Sequence, residues 1–261
     1  MKRVLIENLP LDTPCEIASA FKGARVYDSS CSPEARVYYI DTGEGFYLKT
    51  AKKGTLSREA EMSEYFYKKG LSQGVASYVS LERDWLLTRK VAGEDCTHSA
   101  YLSNPCRLAD LMGEMLRRLH SIDASDCPVQ DRVREYIGLA EANYSTGNYD
   151  RSAFPDSFGY KNAEEAYKVF NEGKHLLKSD TLIHGDYCLP NIMLKDWSFS
   201  GFIDTGNGGI GDRHIDLFWG CWTLWFNLKT NKYRDRFLDA NGRDKVDDDI
   251  LRIIASAEVF G

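Results

Sequence analysis

The segment 184–206 decides the fold: His184-Gly185-Asp186-Tyr187-Cys188-Leu189-Pro190-Asn191-Ile192-Met193-Leu194-Lys195-Asp196-Trp197-Ser198-Phe199-Ser200-Gly201-Phe202-Ile203-Asp204-Thr205-Gly206. Asn191 follows Asp186 closely, and Asp204 lies beyond two short apolar, β-prone runs, 192–194 and 199–203. The polar Lys195-Asp196-Trp197-Ser198 between those runs is composed to turn. The spacing predicts a hairpin with Asn191 at one end and Asp204 at the other, both side chains at the same edge. An acid, an amide and a second acid in this order are what a phosphoryl-transfer enzyme uses to accept a hydroxyl proton and to hold magnesium. Magnesium takes only one or two protein oxygens and completes its shell from phosphates and water. A lone His-Gly-Asp would signify no more than a turn. Here the order and the hairpin-length gap carry the reading, and ATP is the expected phosphate source.

Such chemistry also needs a cation on the phosphates, and the N-terminal third offers one. The runs 35–40 and 46–50 are β-type and are joined by Asp41-Thr42-Gly43-Glu44-Gly45, a turn-rich loop. Lys49 closes the second run. Downstream, Thr55 or Ser57 is placed to cap a helix reaching about residue 69, with Met62, Tyr65 and Phe66 on its apolar face and Glu59 in its first turn. A strand lysine paired with a glutamate on the next helix orients the ammonium toward α- and β-phosphates. Without that context both are ordinary surface charges. Lys52 and Lys53 are the competing cations, and Glu61 and Glu64 the competing acids.

Taken together, Lys49 with Arg58-Glu59, His120-Ser121-Ile122-Asp123, His184-Gly185-Asp186 to Asn191, Phe202-Ile203-Asp204-Thr205-Gly206 and Gly211-Asp212-Arg213-His214-Ile215-Asp216 resemble the aminoglycoside phosphotransferases. The 3'-phosphotransferase branch is the nearest in pattern, and the likeness spans nearly the whole chain. The ending Ala257-Glu258-Val259-Phe260 resembles the acidic, aromatic C-terminus with which that branch lines its substrate site. The resemblance implies an α+β, two-lobed, protein-kinase-like fold: a small antiparallel-sheet N-lobe with one helix (1–87), a hinge (88–93) and a larger, mainly helical C-lobe (94–261). The C-lobe would hold the catalytic loop, the metal site and the acceptor pocket.

By position, the resemblance implies Asp186 as catalytic base, Asn191 and Asp204 as magnesium ligands, and Lys49 as the phosphate-binding lysine held by Glu59. Tyr47 matches an aromatic that stacks on adenine. Ser29, Ser30 and Ser32 lie where a nucleotide-covering loop runs, and Thr88, Arg89, Lys90 and Val91 fall in the hinge whose backbone would meet the base. His184 and Asp216 would brace the catalytic loop. Asp186, Glu258, Phe260, Asp156 and Trp222 are the expected acceptor contacts. Two departures bear on the acceptor. Asn207 stands where the branch usually has arginine, and Trp222 and Phe226 align with an arginine and an acid that face the sugar. The apolar run 218–226 is too short for a bilayer, which needs about 20 residues, and reads as a buried helix whose Trp222 or Phe226 reaches ligand at its edge.

The 261 residues carry a formal net charge of -6, which disfavours nucleic acid and attracts a polycation. Asp244, Asp247, Asp248 and Asp249 form one acidic cluster; Asp150, Asp156, Glu164 and Glu165 form another. Charge runs of this kind are commonly solvated faces. A helix is expected from Asn104 as N-cap and Pro105 in the first turn, with Leu108, Leu111, Met112, Met115, Leu116 and Leu119 on one face and His120 closing it structurally. Seven scattered cysteines without a CxxC pair suggest neither a zinc site nor disulfides. With no signal-like N-terminus, a reduced, cytoplasmic protein is expected, without membrane or nucleic-acid partners and either monomeric or a weak homodimer. The expected reaction is direct transfer from MgATP, with GTP an admissible donor, to a hydroxyl of a cationic aminoglycoside. A kinase for another small alcohol or sugar amine is the nearest alternative, and a nucleotide-binding pseudokinase the more distant one.

Overall fold

The computed structural model describes residues 3–149 and 159–261, so Asp150 and Asp156 lie outside the described residues. Two compact units divide the chain. The first comprises Met1–Glu94 with Met193–Gly206, the second Asp95–Ile192 with Asn207–Gly261.

The first unit begins with β1 (Val4–Ile6), a short helix α1 (Cys15–Ala20) that the sequence did not announce, and β2 (Arg25–Asp28). The two β-type runs become β3 (Ala35–Asp41) and β4 (Phe46–Lys52), paired antiparallel with Val37 opposite Lys49. Helix α2 (Ser57–Lys68) follows, then β5 (Val75–Ser80) and β6 (Arg83–Arg89). These strands form one six-stranded antiparallel sheet in the order β1-β2-β3-β4-β6-β5. Ile40, Leu48, Trp85 and Leu87 pack with Ile17 and Val26 on one face. On the other, Leu86 and Ala51 meet Leu56 and Ala60 at the start of α2.

Met62, Tyr65 and Phe66 are buried, as the helical pattern required. The cap differs from expectation. Thr55 Oγ1 donates to the Lys52 carbonyl at 2.7 Å and Ser57 Oγ to that of Gly54 at 3.3 Å, so neither caps the helix. The start of α2 is instead held by Asp84, fully buried on β6, whose carboxylate accepts the Leu56 N–H at 2.9 Å and the Ser80 hydroxyl at 2.6 Å. Burial pushes the Asp84 carboxyl up, but the hydrogen bonds from Ser80, Gly54 and Leu56 outweigh it and hold it below the usual carboxylate value.

The chain leaves this unit at β7 (Glu94–Asp95). The second unit runs through α3 (Ser99–Leu102), α4 (Pro105–Leu119), α5 (Arg132–Thr146), α6 (Ala163–Gly173) and β8 (Thr181–Ile183). After residues 184–191 come β9 (Ile192–Lys195) and β10 (Ser198–Phe202), which from Met193 on belong to the first unit, and the second unit resumes with β11 (Gly209–Gly211), α7 (Arg213–Leu228), α8 (Arg234–Asn241) and α9 (Asp248–Glu258). β9 and β10 are hydrogen-bonded neighbours, and the turn between them puts Asp196 and Trp197 at φ 50° and 64°. Two left-handed residues are what a tight two-residue hairpin demands.

In α4 the buried face is Leu108, Met112, Met115, Leu116 and Leu119, while Leu111 is only half-buried. Asn104 stands at the N-cap with its carbonyl accepting the Leu108 N–H at 3.0 Å, but its side chain caps no backbone N–H; its amide instead donates to the Ala100 carbonyl at 3.5 Å. No helix among the described residues is long and apolar enough to cross a membrane.

The aromatic run on α7 does not behave as the buried helix expected of it. Leu217, Gly220, Thr223 and Leu224 form its buried face, and Gly220 is pinned there because a Cβ would come within 2.4 Å of the Phe237 ring. Phe218, Trp219, Trp222 and Trp225 are only half-buried, and Phe226 is 46% exposed. The rings therefore form a stripe beside the core.

Candidate functional site

In the first unit the strand lysine meets the helix glutamate. Lys49 Nζ lies 2.7 Å from Glu59 Oε2 and 2.9 Å from Asp204 Oδ1. Burial pulls the Lys49 ammonium down, but the Glu59 and Asp204 carboxylates outweigh it and hold its pKa above the usual lysine value. Lys52, Lys53 and Glu61 are exposed and Glu64 pairs with Lys68, so the competing charges are surface groups. Asp204 itself sits at φ 57°, a left-handed conformation rare for a residue with a side chain, and its carboxylate is half-exposed. Its neighbours are fixed. Thr205 Oγ1 pairs with Ser63 Oγ at 3.0 Å, Phe202 N donates to the Leu71 carbonyl at 2.7 Å, and Gly206 leaves room for Glu59, which a Cβ would approach to 3.2 Å.

The remaining residues assigned to the nucleotide fall around the same sheet. Tyr47 is half-buried on β4, and its ring centroid lies 5.2 Å from that of Tyr39. Ser29 and Ser30 follow β2: the Ser29 N–H bonds the Val37 carbonyl at 2.8 Å, and Ser30 Oγ accepts the Val37 N–H at 2.9 Å, while Ser32 is exposed. Thr88 and Arg89 end β6 as paired strand residues, Lys90 N donates to the Gly45 carbonyl at 3.1 Å, and Val91 is buried.

In the second unit the His-Gly-Asp turn is held by its own surroundings. Asp216, fully buried on α7, accepts the backbone N–H groups of His184 and Gly185, each at 2.8 Å, and lies 3.2 Å from His120 Nε2. His120 thus braces the loop through Asp216, a more specific structural role than closing α4. Gly185 takes φ +80°, and a Cβ there would fall 2.0 Å from the Asn207 carbonyl oxygen. Further along, the Tyr187 hydroxyl donates to the Met112 carbonyl at 2.8 Å and Leu189 N to Thr223 Oγ1 at 3.1 Å. Asp186 emerges from this frame with Asn191 Nδ2 donating to its Oδ2 at 2.8 Å. Burial pushes the Cys188 thiol well above its ordinary value, so it stays a neutral thiol.

The C-terminal residues separate. Glu258 accepts the Tyr136 hydroxyl at 2.8 Å and the Trp219 indole N–H at 3.1 Å on the same oxygen, Oε1. Burial pushes its carboxyl up to about 7 against those two hydrogen bonds, and the Asp186 charge adds to the rise. Phe260, expected to touch ligand, is fully buried among Tyr144, Tyr149 and Tyr167 and offers no free face. Trp222 stacks on Phe226 at 4.9 Å and 9° and lines a cavity of about 400 Å³ with Phe218, Trp225, Arg234 and Asp248.

Of the acidic clusters, Asp247, Asp248, Asp249, Glu164 and Glu165 prove to sit at helix starts. Asp247 caps α9, Asp248 pairs with Arg234 at 2.8 Å, and Glu164 and Glu165 occupy the first turn of α6. Tyr136, Trp219, His120 and Asp84 are the residues that sequence reasoning missed or undervalued.

A model of the phosphotransferase enzyme family matches residues 33–252, so the chain belongs to that family. Over 260 residues it is 48% identical to a probable aminoglycoside 3'-phosphotransferase of Lactococcus lactis, covering 99% of this chain and 97% of that one. An aminoglycoside 3'-phosphotransferase of Niallia circulans is 27% identical over 68% of this chain and 67% of its own length. Among solved structures, an aminoglycoside-3'-phosphotransferase of type VIII superposes with a TM-score of 0.79 at 21% identity, covering 94% of this chain and 97% of that chain. An aminoglycoside phosphotransferase from Streptomyces rimosus, solved with ADP and streptomycin, gives 0.71 at 20% identity over 86% of this chain and 90% of that one. The fold is therefore the kinase-like α+β fold that the sequence predicted.

Proposed function

We propose that this chain is an aminoglycoside O-phosphotransferase that moves the γ-phosphoryl group of magnesium-bound ATP to an antibiotic hydroxyl, the 3'-hydroxyl foremost, and so confers resistance. The observation that carries the reading is the Asp186 carboxylate, fixed by Asn191 on a loop that Asp216 holds from beneath. The 48% identity to a probable aminoglycoside 3'-phosphotransferase supports the acceptor class.

Asp186 orients the acceptor hydroxyl and takes its proton late, because the transition state for phosphoryl transfer is loose. Lys49, kept charged by Glu59, binds the α- and β-phosphates. Tyr47 carries the adenine, the 88–91 backbone meets its edge, and Ser29, Ser30 and Ser32 belong to the loop that covers the phosphates. Asn191 and Asp204 are the residues assigned to magnesium. Their chemistry fits: Asn191 commits its amide nitrogen to Asp186, which leaves a carbonyl oxygen as donor, and Asp204 offers a half-exposed carboxylate. Bound magnesium supplies charge neutralisation on the phosphate oxygens. Glu258 takes an ammonium group of the acceptor. Work in the reducing cytoplasm belongs to the same reading.

Asp186→Ala tests the assignment: turnover collapses by about 10² or more while nucleotide affinity is retained. A variant with unchanged kcat removes Asp186 from the role. An ATP-consumption screen over aminoglycosides, with NMR location of the product phosphate, fixes acceptor and hydroxyl. The Trp222–Phe226 stack favours a second reading, a kinase for a different small alcohol, since these rings present no charge to a polyamine. Kanamycin compared with a relative lacking the 3'-hydroxyl separates the two; inactivity on both, with turnover of an unrelated amino alcohol, selects the second.

A further inference from the structure

Tyr27, Tyr39 and Tyr47 stand directly opposite one another on β2, β3 and β4. Strand alternation puts Tyr47 on the face that carries Lys49, two positions further along β4. Onto this ladder comes Arg3, which immediately precedes β1 and lies outside the residues 33–252 matched by the family. Its guanidinium carbon is 3.8 Å from the centroid of the Tyr39 ring and 5.9 Å from that of Tyr47, and its Nη2 donates to the Tyr47 hydroxyl at 2.7 Å. The cation thus covers Tyr39 and meets Tyr47 at its rim. The two rings are tilted 46° to each other, with centroids 5.2 Å apart.

A second cation approaches the same ring. Lys90 Nζ is 5.9 Å from the Tyr39 centroid, and its backbone N–H is tied to the Gly45 carbonyl. Gly45, at φ +76°, permits this closeness, because a Cβ would lie 3.1 Å from the Tyr39 hydroxyl and 3.3 Å from the Lys90 side chain. Arg3 and Lys90 therefore gather on Tyr39 where β4 begins and β6 ends, with Tyr47 paired to Thr88.

We propose that Arg3 is a positioning residue for the purine ring of the nucleotide, acting through the Tyr47 hydroxyl and through the Tyr39 ring it caps. This rests on the reading of Tyr47 as the adenine platform. A planar guanidinium stacked on one aromatic ring and bonded to the next fixes both without occupying a ring's full surface. The ladder then meets the base already oriented, and less ordering is left for binding to impose.

The test uses the full chain and measures KM for ATP, KM for the acceptor, kcat, ADP affinity by calorimetry and Tm for Arg3→Ala, Arg3→Lys, Tyr47→Phe and Tyr47→Ala. Arg3→Ala should raise KM for ATP and the ADP dissociation constant about three- to tenfold, with kcat, acceptor KM and Tm unchanged. Arg3→Lys keeps the charge without the planar fork and should recover little of the loss. Tyr47→Phe should reproduce most of the effect, and adding Arg3→Ala to it should cost little more. Unchanged ADP affinity in Arg3→Ala, or full additivity with Tyr47→Phe, overturns the proposal. So does a fall in Tm with no change in nucleotide KM. If Tyr47→Ala binds ADP normally, the platform reading itself fails; if Tyr47→Ala weakens ADP while Arg3→Ala does not, only the inference about Arg3 fails.

Discussion

Asp216 holds the backbone of His184 at 2.8 Å from the first turn of α7, and the same carboxylate takes the N–H of Gly185 at 2.8 Å with its other oxygen. Both contacts are fully or partly shielded from water, so removing the carboxylate leaves two backbone donors and His120 Nε2 without their acceptor. Asp216→Ala is expected to lower stability by about 3 kcal/mol and kcat by about 10², because Asp186 loses its fixed setting. Asp216→Asn keeps one acceptor oxygen and should fall between the two. Urea unfolding paired with steady-state kinetics checks both numbers. Loss of stability with normal turnover would show that Asp186 is positioned by other means.

Gly185 should tolerate no side chain. With φ +80° and the Asn207 carbonyl 2.0 Å from the place of a Cβ, Gly185→Ala must either strain the turn or push away the segment after Asp204-Thr205-Gly206. A penalty above about 3 kcal/mol, or failure to fold, is expected in thermal denaturation. A stable, active Gly185→Ala enzyme would contradict the backbone described for the turn.

The Lys49–Glu59 pair was legible because strand alternation, a loop and one helical turn are local rules, and the hairpin that follows Asn191 was legible for the same reason. Asp84 was not, since it holds α2 across 28 positions of sequence through a hydrogen bond that no pattern announces. The partners of Glu258 are likewise distant: Tyr136 and Trp219 reach it from 122 and 39 positions away. The aromatic stripe on α7 was readable but misread. Phe218, Trp219, Trp222, Trp225 and Phe226 recur at helical spacing opposite Leu217, Gly220 and Leu224, and the small Gly220 marks the packed side. Overall apolarity concealed the two faces.

Trp222 and Phe226 are accordingly expected to matter more for the acceptor than for the core. Trp222→Ala should cost about 1–2 kcal/mol of stability, below the 3–5 kcal/mol typical of a fully buried aromatic, since the ring is only half-buried. Its KM for the acceptor should rise several-fold while KM for ATP holds. Chemical denaturation and a two-substrate kinetic matrix separate the effects. A loss as large as that of a core tryptophan, with acceptor KM unchanged, would return the stripe to a packing role.

Glu258 supplies a pH dependence with a definite sign. Its carboxyl is raised from the ordinary 4.5 to about 7 by burial, so the folded protein binds a proton that the unfolded chain releases. The stability from this group is fully present below pH 4.5 and is lost as pH rises to about 7, amounting to at most about 3 kcal/mol. Glu258→Gln mimics the protonated state and should remove that slope, becoming more stable than the parent above pH 7. Acceptor binding should run the other way: on the proposed role of the Glu258 carboxylate as the partner of a cationic amine, acceptor KM falls as pH rises from 6 to 8 in the parent and stays high and flat in Glu258→Gln. Urea unfolding and acceptor KM measured across that range, on both proteins, give the two slopes independently. Parallel stability slopes would mean that Glu258 is already ionised in the folded chain, and an acceptor KM unaffected by Glu258→Gln would take it out of the acceptor site.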